Sequence, residues 1–129
     1  MSTSIEHFAI AAQDTDALAR WYCEHLGFSV RDKNDRTPPQ YFLAQGDGPV
    51  FLELIPANDS SRAERQSSDP GHSHLAFHVD DFDALHRRLI GAGIRFSGPL
   101  NVRPDGTKLV FFYDGEGNLL QIVYRPKPL

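Results

Sequence analysis

The sequence predicts an α+β fold made of two tandem βαβββ modules, chiefly because the chain repeats itself. An ungapped alignment joins residues 7–22, HFAIAAQDTDALARWY, to residues 74–89, HLAFHVDDFDALHRRL. A second alignment joins residues 41–55, YFLAQGDGPVFLELI, to residues 109–123, LVFFYDGEGNLLQIV. Each copy alternates as a strand, becomes helical and then returns to strands around a Gly-rich turn. Within one domain of 129 residues, we therefore expect module one at 1–57, a linker at 58–71 and module two at 72–129.

The helices of the two copies carry matching boundary signals. Asp14 and Asp81 precede them, and their carboxylates are expected to accept bonds from the first helical N–H groups. Gly27 and Gly93 should end the helices in the left-handed conformation. Helical spacing of apolar residues supports both assignments, at Leu18, Tyr22 and Leu26 in the first helix and at Phe82, Leu85, Leu89 and Ala92 in the second.

Three strands are expected after each helix. The first is predicted at FSV, residues 28–30, and at IRF, residues 94–96, and two more are joined by a Gly-rich hairpin turn. Together the strands should form a curved mixed sheet, with the helices outside and a concave cleft inside.

Composition narrows the class of partner. Hydrophobic residues make up 40% of the chain, charged residues 23%, and the net charge is −4 without a basic stripe. This pattern argues against nucleic acid or an anionic membrane surface as the partner. No apolar run approaches the roughly 20 residues of a membrane span, and MSTSIEHF lacks the features of a secretory signal. With a single cysteine, Cys23, we expect a cytoplasmic protein.

Four polar residues at repeat-related positions form the candidate site. Because side chains alternate along a strand, we expect all four to point away from the helix layer: His7, Glu53, His74 and Gln121. Small alanines leave room beside both histidines. Two histidines and a carboxylate on an open sheet face can bind a first-row divalent ion and leave positions for water or substrate. A lone histidine on a strand is more often structural, but its repetition favours a metal site.

Other polar residues are candidates for contacting a substrate. His78 shares the face of His74 and is either a cavity residue or a solvated strand position. Arg103 and Lys108, in NVRPDGTKL, either hold an anionic substrate end or are ordinary surface residues. The polar segment between the modules is either a linker or a flap that brings an arginine to the site.

Five stretches resemble one protein superfamily: IEHFAIAAQD, WYCEHLGF, VFLELIP, GHSHLAFHVDD and FFYDGEGNLLQIV. They are similar to the vicinal oxygen chelate superfamily, which includes glyoxalase I, methylmalonyl-CoA epimerase, extradiol dioxygenases, fosfomycin-resistance transferases and bleomycin-resistance proteins. The resemblance covers almost the whole chain. It is specific for the fold and much less so for the reaction, because one fold hosts many functions.

The resemblance implies a ligand set and a chemistry. Carried over, the metal ligands are His7, Glu53, His74 and Gln121, around a divalent ion such as Zn, Ni, Mn, Co or Fe. In the family the ion chelates two neighbouring oxygens of a small molecule and stabilises an enediolate-type intermediate. At the position of Gln121, glyoxalase I instead has a second glutamate, which is both a ligand and the base that abstracts a proton. An amide is no useful base, so Glu53 is the expected catalytic residue.

The resulting expectation is a glyoxalase-like, metal-dependent lyase or isomerase. The alternatives are an extradiol-type dioxygenase and a non-catalytic ligand-binding protein of the bleomycin-resistance type. We also expect a homodimer with sites shared between chains, since exposed sheet edges are a liability unless covered and similar single-chain relatives pair their modules in this way.

Overall fold

The computed structural model describes residues 1–129, which form two compact units, Met1–Arg62 and Ala63–Leu129. Unit 1 contains β1 (His7–Ala12), α1 (Thr15–Leu26), β2 (Ser29–Lys33), β3 (Tyr41–Ala44) and β4 (Phe51–Pro56). Unit 2 contains β5 (Leu75–His78), α2 (Phe82–Gly91), β6 (Asn101–Val102), β7 (Lys108–Tyr113) and β8 (Leu119–Tyr124). Both units have the order βαβββ, so the predicted α+β fold of two tandem βαβββ modules is confirmed.

Each unit contains one four-stranded mixed sheet, and the two sheets have the same topology. The strand orders are β1-β4-β3-β2 and β5-β8-β7-β6. The first and last strands of each unit are parallel neighbours, whereas the other pairs are antiparallel. This topology places the first strand of each repeat directly beside its last strand. Neither helix has the length and apolar character needed to cross a membrane.

The core of unit 1 lies between α1 and one face of its sheet. Leu52 and Leu54 of β4 alternate toward α1 and are almost completely buried. On the helix, Leu18 and Tyr22 are buried at the predicted spacing. Burial of one such side chain stabilises the fold by about 1.5–3 kcal/mol, so this face is firmly fixed toward the helix. The opposite face of β4 is therefore directed away from α1.

The core of unit 2 also lies between its helix and one face of its sheet, but fewer residues of the helix are buried. Leu120 and Ile122 of β8 are fully buried, as is Phe112 of β7. Only Phe82 and Leu89 of α2 are buried. The sequence had also placed Leu85 and Ala92 on this stripe, but the first is half-buried and the second is exposed.

The predicted helix N-caps are confirmed. Asp14 Oδ1 accepts a hydrogen bond from the backbone N–H of Ala17 at 2.9 Å, and Asp81 Oδ1 accepts one from Ala84 at 3.1 Å. At the other end, Gly27 caps α1 with a φ of 70° in the left-handed region.

The prediction for the end of α2 was wrong by one residue. Ala92 is the C-cap in a right-handed conformation, and Gly93 follows it with a φ of 74°. The glycine N–H bonds Ile90 O at 3.0 Å, and the next N–H, of Ile94, bonds Leu89 O at 3.2 Å. The left-handed glycine therefore still turns the chain, one position beyond the cap.

The prediction of a regular strand at residues 94–96 was also wrong. This segment forms only an isolated bridge between Phe96 and Phe112, and the regular edge strand β6 comes later. The bridge is flanked by bonds from Tyr113 N to Arg95 O and from Ser97 N to Phe111 O. The segment thus follows the edge of β7 without meeting the criteria of a strand.

The polar segment before β5, which lies at the start of unit 2, contains a local turn organised by Arg65. Its Nη2 donates to Asp69 O at 3.0 Å and to Pro70 O at 2.9 Å. Asp69 Oδ2 in turn accepts the N–H of Gln66 at 2.8 Å. The Arg65 guanidinium is therefore engaged within the segment itself.

Candidate functional site

In unit 1, the parallel register of β1 and β4 brings His7 and Glu53 together. Ala9 is the register partner of Glu53, and His7 lies two residues earlier on the same face. His7 Nε2 is 3.5 Å from Glu53 Oε1. The Glu53 side chain retains 13% of its exposure and that of His7 retains 38%, so both are accessible to a small ligand.

Unit 2 repeats this arrangement around Gln121. Ala76 is the register partner of Gln121, as Ala9 is of Glu53, and His74 immediately precedes β5. Gln121 is only 9% exposed, whereas His74 is exposed. Each unit therefore carries one histidine before, or at the start of, its first strand and one polar acceptor on its last strand.

A phenylalanine supports the histidine ring in each unit. The His7 ring meets Phe42 edge-on with centroids 5.7 Å apart, and the His74 ring meets Phe111 in the same way at 4.9 Å. Phe42 is the register partner of Glu53, and Phe111 is that of Gln121. Sequence alignment had set Phe42 one position out of step with Phe111, because the second hairpin is one residue shorter.

Both histidines have Nδ1 engaged by the preceding side chain. His7 Nδ1 lies 2.9 Å from Glu6 Oε1, and His74 Nδ1 lies 2.9 Å from Ser73 Oγ. An ionised carboxylate only accepts hydrogen bonds, so the Glu6 contact places the proton of a neutral His7 on Nδ1. The lone pair is then on Nε2, which is the tautomer of a metal-ligating histidine oriented by a carboxylate.

Sequence reasoning missed Gln40, the nearest polar neighbour of Glu53. Gln40 Nε2 donates a short hydrogen bond to Glu53 Oε2, which leaves Oε1 directed at His7. Asn34 holds Gln40 in turn, because its Oδ1 accepts the Gln40 backbone N–H at 2.9 Å. Gln40 lies two residues before Phe42, and the equivalent residue two positions before Phe111 in unit 2 is Leu109. The apolar side chain of Leu109 cannot donate a hydrogen bond to Gln121.

The three predicted substrate contacts differ in their surroundings. His78 lies at the end of β5 with 52% of its side chain exposed, and its Nδ1 is 3.8 Å from Asp80 Oδ1. Lys108 Nζ donates to both carboxylate oxygens of Asp83, at 3.0 and 3.1 Å, in the first turn of α2. This ion pair holds the lysine on the helix side of the sheet.

Arg103 begins a tight turn that joins β6 to β7. Its backbone N–H donates to Thr107 O at 2.8 Å, and the Gly106 N–H donates to Arg103 O at 3.0 Å. Backbone and side-chain hydrogen bonds from Thr107 lower the pKa of Asp105 at the tip, and the Arg103 charge adds to the effect. The Arg103 side chain itself is exposed.

The donor atoms suit a first-row divalent ion. A tetrahedral zinc ion with donors at about 2.1 Å holds neighbouring donors roughly 3.4 Å apart. The 3.5 Å between His7 Nε2 and Glu53 Oε1 matches this spacing and exceeds an ordinary hydrogen bond. The chain contains no group of three or more His, Cys, Asp or Glu side chains suited to a metal ion, and the close pair is His7 with Glu53.

Two βαβββ units, each with a histidine beside a polar residue of its last strand, define a protein built on the plan of vicinal oxygen chelate proteins. The family model described as the glyoxalase/bleomycin resistance protein/dioxygenase superfamily matches residues 4–122. The chain belongs to this superfamily.

Three similar proteins illustrate the relationship. The uncharacterised protein YaeR of Escherichia coli strain K12 is 31% identical over 127 residues, which cover 92% of this chain and 93% of that protein. A glyoxalase family protein from Enterococcus faecalis is 30% identical with a TM-score of 0.75, covering 93% of this chain and 96% of its own. The oxidase ChaP-H2 is 28% identical with a TM-score of 0.72, covering 98% and 96%.

Neighbours of the same fold differ in their named functions. Besides that oxidase, they include a lactoylglutathione lyase from Agrobacterium tumefaciens, 24% identical, and the antibiotic-binding protein TnmS3 from Streptomyces sp. CB03234, 21% identical. At these identities the likeness shows the fold alone. Membership of the superfamily therefore leaves lyase, oxidase and binding functions to be separated by the site.

Proposed function

We propose that this protein is a metal-dependent lyase or isomerase of the glyoxalase type, acting on a small molecule with two neighbouring oxygens. The observation that carries the proposal is the repeated pair: His7 with Glu53 in one unit and His74 with Gln121 in the other, each on the face away from its helix. Because each Nδ1 is engaged by the preceding residue, each Nε2 is available to a ligand.

The proposed ligands are His7, Glu53, His74 and the amide oxygen of Gln121. Imidazole nitrogen with carboxylate and amide oxygen suits Zn, Ni, Mn, Co or Fe, so the donor set alone does not select one metal. When bound, the ion supplies Lewis acidity that stabilises negative charge developing on the substrate oxygens.

Glu53 is the proposed catalytic residue. Its Oε2 is held by Gln40, so Oε1 would be both the proposed metal donor and, once released from the metal, the atom that takes a proton from a substrate carbon and returns it to the neighbouring one. Gln121 has no basic atom at neutral pH, so proton transfer by this set uses one base. The phenylalanines beside the histidines exclude water from one side of each pair.

An oxidative reaction is the second candidate, and one specific observation favours it. Two histidines and one carboxylate, with open positions, form a set that binds Fe(II) in non-haem oxygenases. The neighbour named oxidase ChaP-H2 is also more similar in sequence than the neighbour named lactoylglutathione lyase. The third candidate is a protein that binds a small molecule without converting it, which the tests would reveal as binding without turnover.

Assembly and location are part of the proposal. Superfamily members bind small molecules and are often dimers, and we propose a homodimer in which the sites are shared between chains. In each sheet, the first strand forms one edge and the second strand the other. Burial raises the pKa of the Cys23 thiol, and one cysteine with little reactivity suits the proposed cytoplasmic location.

Metal analysis with a divided substrate screen tests the proposal. The purified protein is assayed for bound metals and then reconstituted separately with Zn, Ni, Mn, Co and Fe(II). Turnover of 2-oxoaldehyde hemithioacetals tests the isomerase function, and O₂ uptake in the presence of catechols tests the oxidative function. His7→Ala should severely lower metal affinity and with it turnover, whereas His72→Ala, which removes an exposed loop imidazole, should leave both unchanged. Equal metal binding in wild type and His7→Ala would refute the site.

A further inference from the structure

An arginine stacked on a tyrosine stands out in unit 2, outside the proposed ligand set. The Arg95 guanidinium carbon lies 4.0 Å from the centroid of the Tyr113 ring. The backbone fixes this stack, because the Tyr113 N–H donates to Arg95 O at 2.9 Å. Such a stack holds a flexible arginine in one place and leaves its N–H edges to other partners.

Strand alternation places this stack on the same face as the proposed ligands. Tyr113 lies two residues from Phe111 on β7, so both side chains point to one face, about 6.7 Å apart along the strand. Phe111 contacts the His74 ring and is the register partner of Gln121. Lys108 has the opposite parity, and it does pair with Asp83 on the helix side.

The Arg95 charge has no acidic partner in the chain. The side chain is exposed, and no carboxylate lies within ion-pair distance of its guanidinium. An unpaired, pre-positioned guanidinium presents parallel donors that match a carboxylate or a phosphate. Lys108, by comparison, has its charge neutralised within the protein.

The repeat shows that the stack is particular to one unit. In unit 1, Ser29 is the equivalent of Arg95 and Ala44 is the equivalent of Tyr113. Ser29 and Ala44 are register partners, just as Arg95 lies beside Tyr113 in unit 2. There the Ser29 hydroxyl donates to Ala44 O at 3.5 Å, and neither residue carries a charge or a ring. The scaffold therefore does not need an arginine–tyrosine pair at this position.

From these observations we infer that Arg95, held on Tyr113, binds an anionic end of the substrate. The substrate class is a small molecule with two neighbouring oxygens and a carboxylate or phosphate group several ångströms away. This inference rests on the proposed function for the vicinal oxygens, whereas anion binding by Arg95 is independent of it.

Two ligands of equal size but different charge test the inference on metal-loaded protein. Calorimetric titration with 3,4-dihydroxybenzoate and 3,4-dihydroxybenzamide compares an anion with its neutral amide. We expect a preference for the benzoate of about tenfold, the equivalent of one charge-assisted hydrogen bond. Arg95→Gln should remove this preference, and Arg87→Gln, which removes an exposed arginine of α2, should retain it. A preference that persists in Arg95→Gln would overturn the inference.

A second measurement separates this inference from the metal site. In metal-free protein, the NMR signal of the Arg95 Nε–Hε group should shift on addition of benzoate or phenyl phosphate and stay unchanged with benzamide. The larger response identifies the preferred anion. Absence of any shift with both anions would overturn the inference. Failure of both catechols to bind metal-loaded wild type, with the NMR shift intact, would instead contradict the chelation of neighbouring oxygens at the metal and leave anion binding by Arg95 in place.

Discussion

Gln40 holds one oxygen of Glu53 by a side-chain hydrogen bond, and the other oxygen of that carboxylate faces His7. Gln40 is itself fixed by Asn34, which bonds its backbone N–H at 2.9 Å and whose Nδ2 lies 3.5 Å from its side-chain oxygen. Two polar residues, Asn34 and Gln40, thus orient the proposed base. The second unit has Leu109 in place of the glutamine, so the orientation is built on one side of the repeat only.

Replacing Gln40 should weaken metal binding without removing a ligand. In Gln40→Leu, which imports the residue of the second unit, Glu53 loses its fixed orientation. Loss of such a supporting bond costs about 10–100-fold in metal affinity. Competition with a chelating dye measures the change, and Gln45→Leu is the matched control, since that amide bonds Leu26 O instead. Equal affinities for Gln40→Leu and wild type would contradict the role assigned to Gln40.

The sequence could predict the strand face of each proposed ligand but not its supporting contacts. Side chains alternate along strands, so Phe8 and Ile10 indicate the face of His7, and Leu52 and Leu54 indicate that of Glu53. Gln40 lies in an irregular segment before β3, where no period indicates the direction of a side chain. Arg95 was missed for another reason: a strand was expected at residues 94–96, but strand alternation does not indicate that its guanidinium stacks on Tyr113.

Alanine at either histidine should lower metal affinity more than the loss of Gln40. Each change removes one of four proposed donors, so we expect a loss beyond the roughly 100-fold upper range for supporting residues. Because the repeat relates His7 to His74, the two losses should be of similar size. Isothermal titration with Zn and Co gives both values. A His74→Ala protein that binds metal as tightly as wild type would remove the second unit from the site.

Tyr41 should make stability fall at high pH. Burial raises the pKa of its phenol, and the hydrogen bond to the Asp16 carboxylate raises it further. The folded state then binds the proton more tightly than the unfolded state, whose pKa is about 10. The stabilisation is complete below that value and is lost as the pH rises through the higher folded pKa.

Urea unfolding of wild type and Tyr41→Phe at a series of values between about pH 8 and pH 11 tests this expectation. At neutral pH the variant should be less stable by about 1.5–3 kcal/mol, the contribution of a hydrogen bond to a charged group. The difference should shrink above about pH 10, since the wild type must then ionise a buried phenol. A difference that is constant across the range would contradict the assignment.

Moving the carboxylate between the two units is the sharpest test of Glu53 as the base. Gln121 is 9% exposed and lies opposite Phe111, with no partner equivalent to Gln40. In metal-free Gln121→Glu, a poorly solvated carboxylate should therefore lower stability, by about 1–3 kcal/mol on the scale of an unpaired buried polar group. Added divalent metal should stabilise this variant more than wild type, because a charged ligand replaces a neutral one. Thermal unfolding with and without metal measures both effects.

Activity of the paired variants then locates the base. If Glu53 transfers the proton, Glu53→Gln should abolish turnover of the hemithioacetal that the wild-type protein converts. The double variant Glu53→Gln/Gln121→Glu should regain part of it, because the repeat places the new carboxylate on the equivalent strand position beside a histidine. Proton delivery from the other unit should also change the stereochemistry of deuterium incorporation. Full turnover by Glu53→Gln would eliminate the lyase or isomerase proposal, since no other ligand in the set can act as a base at neutral pH.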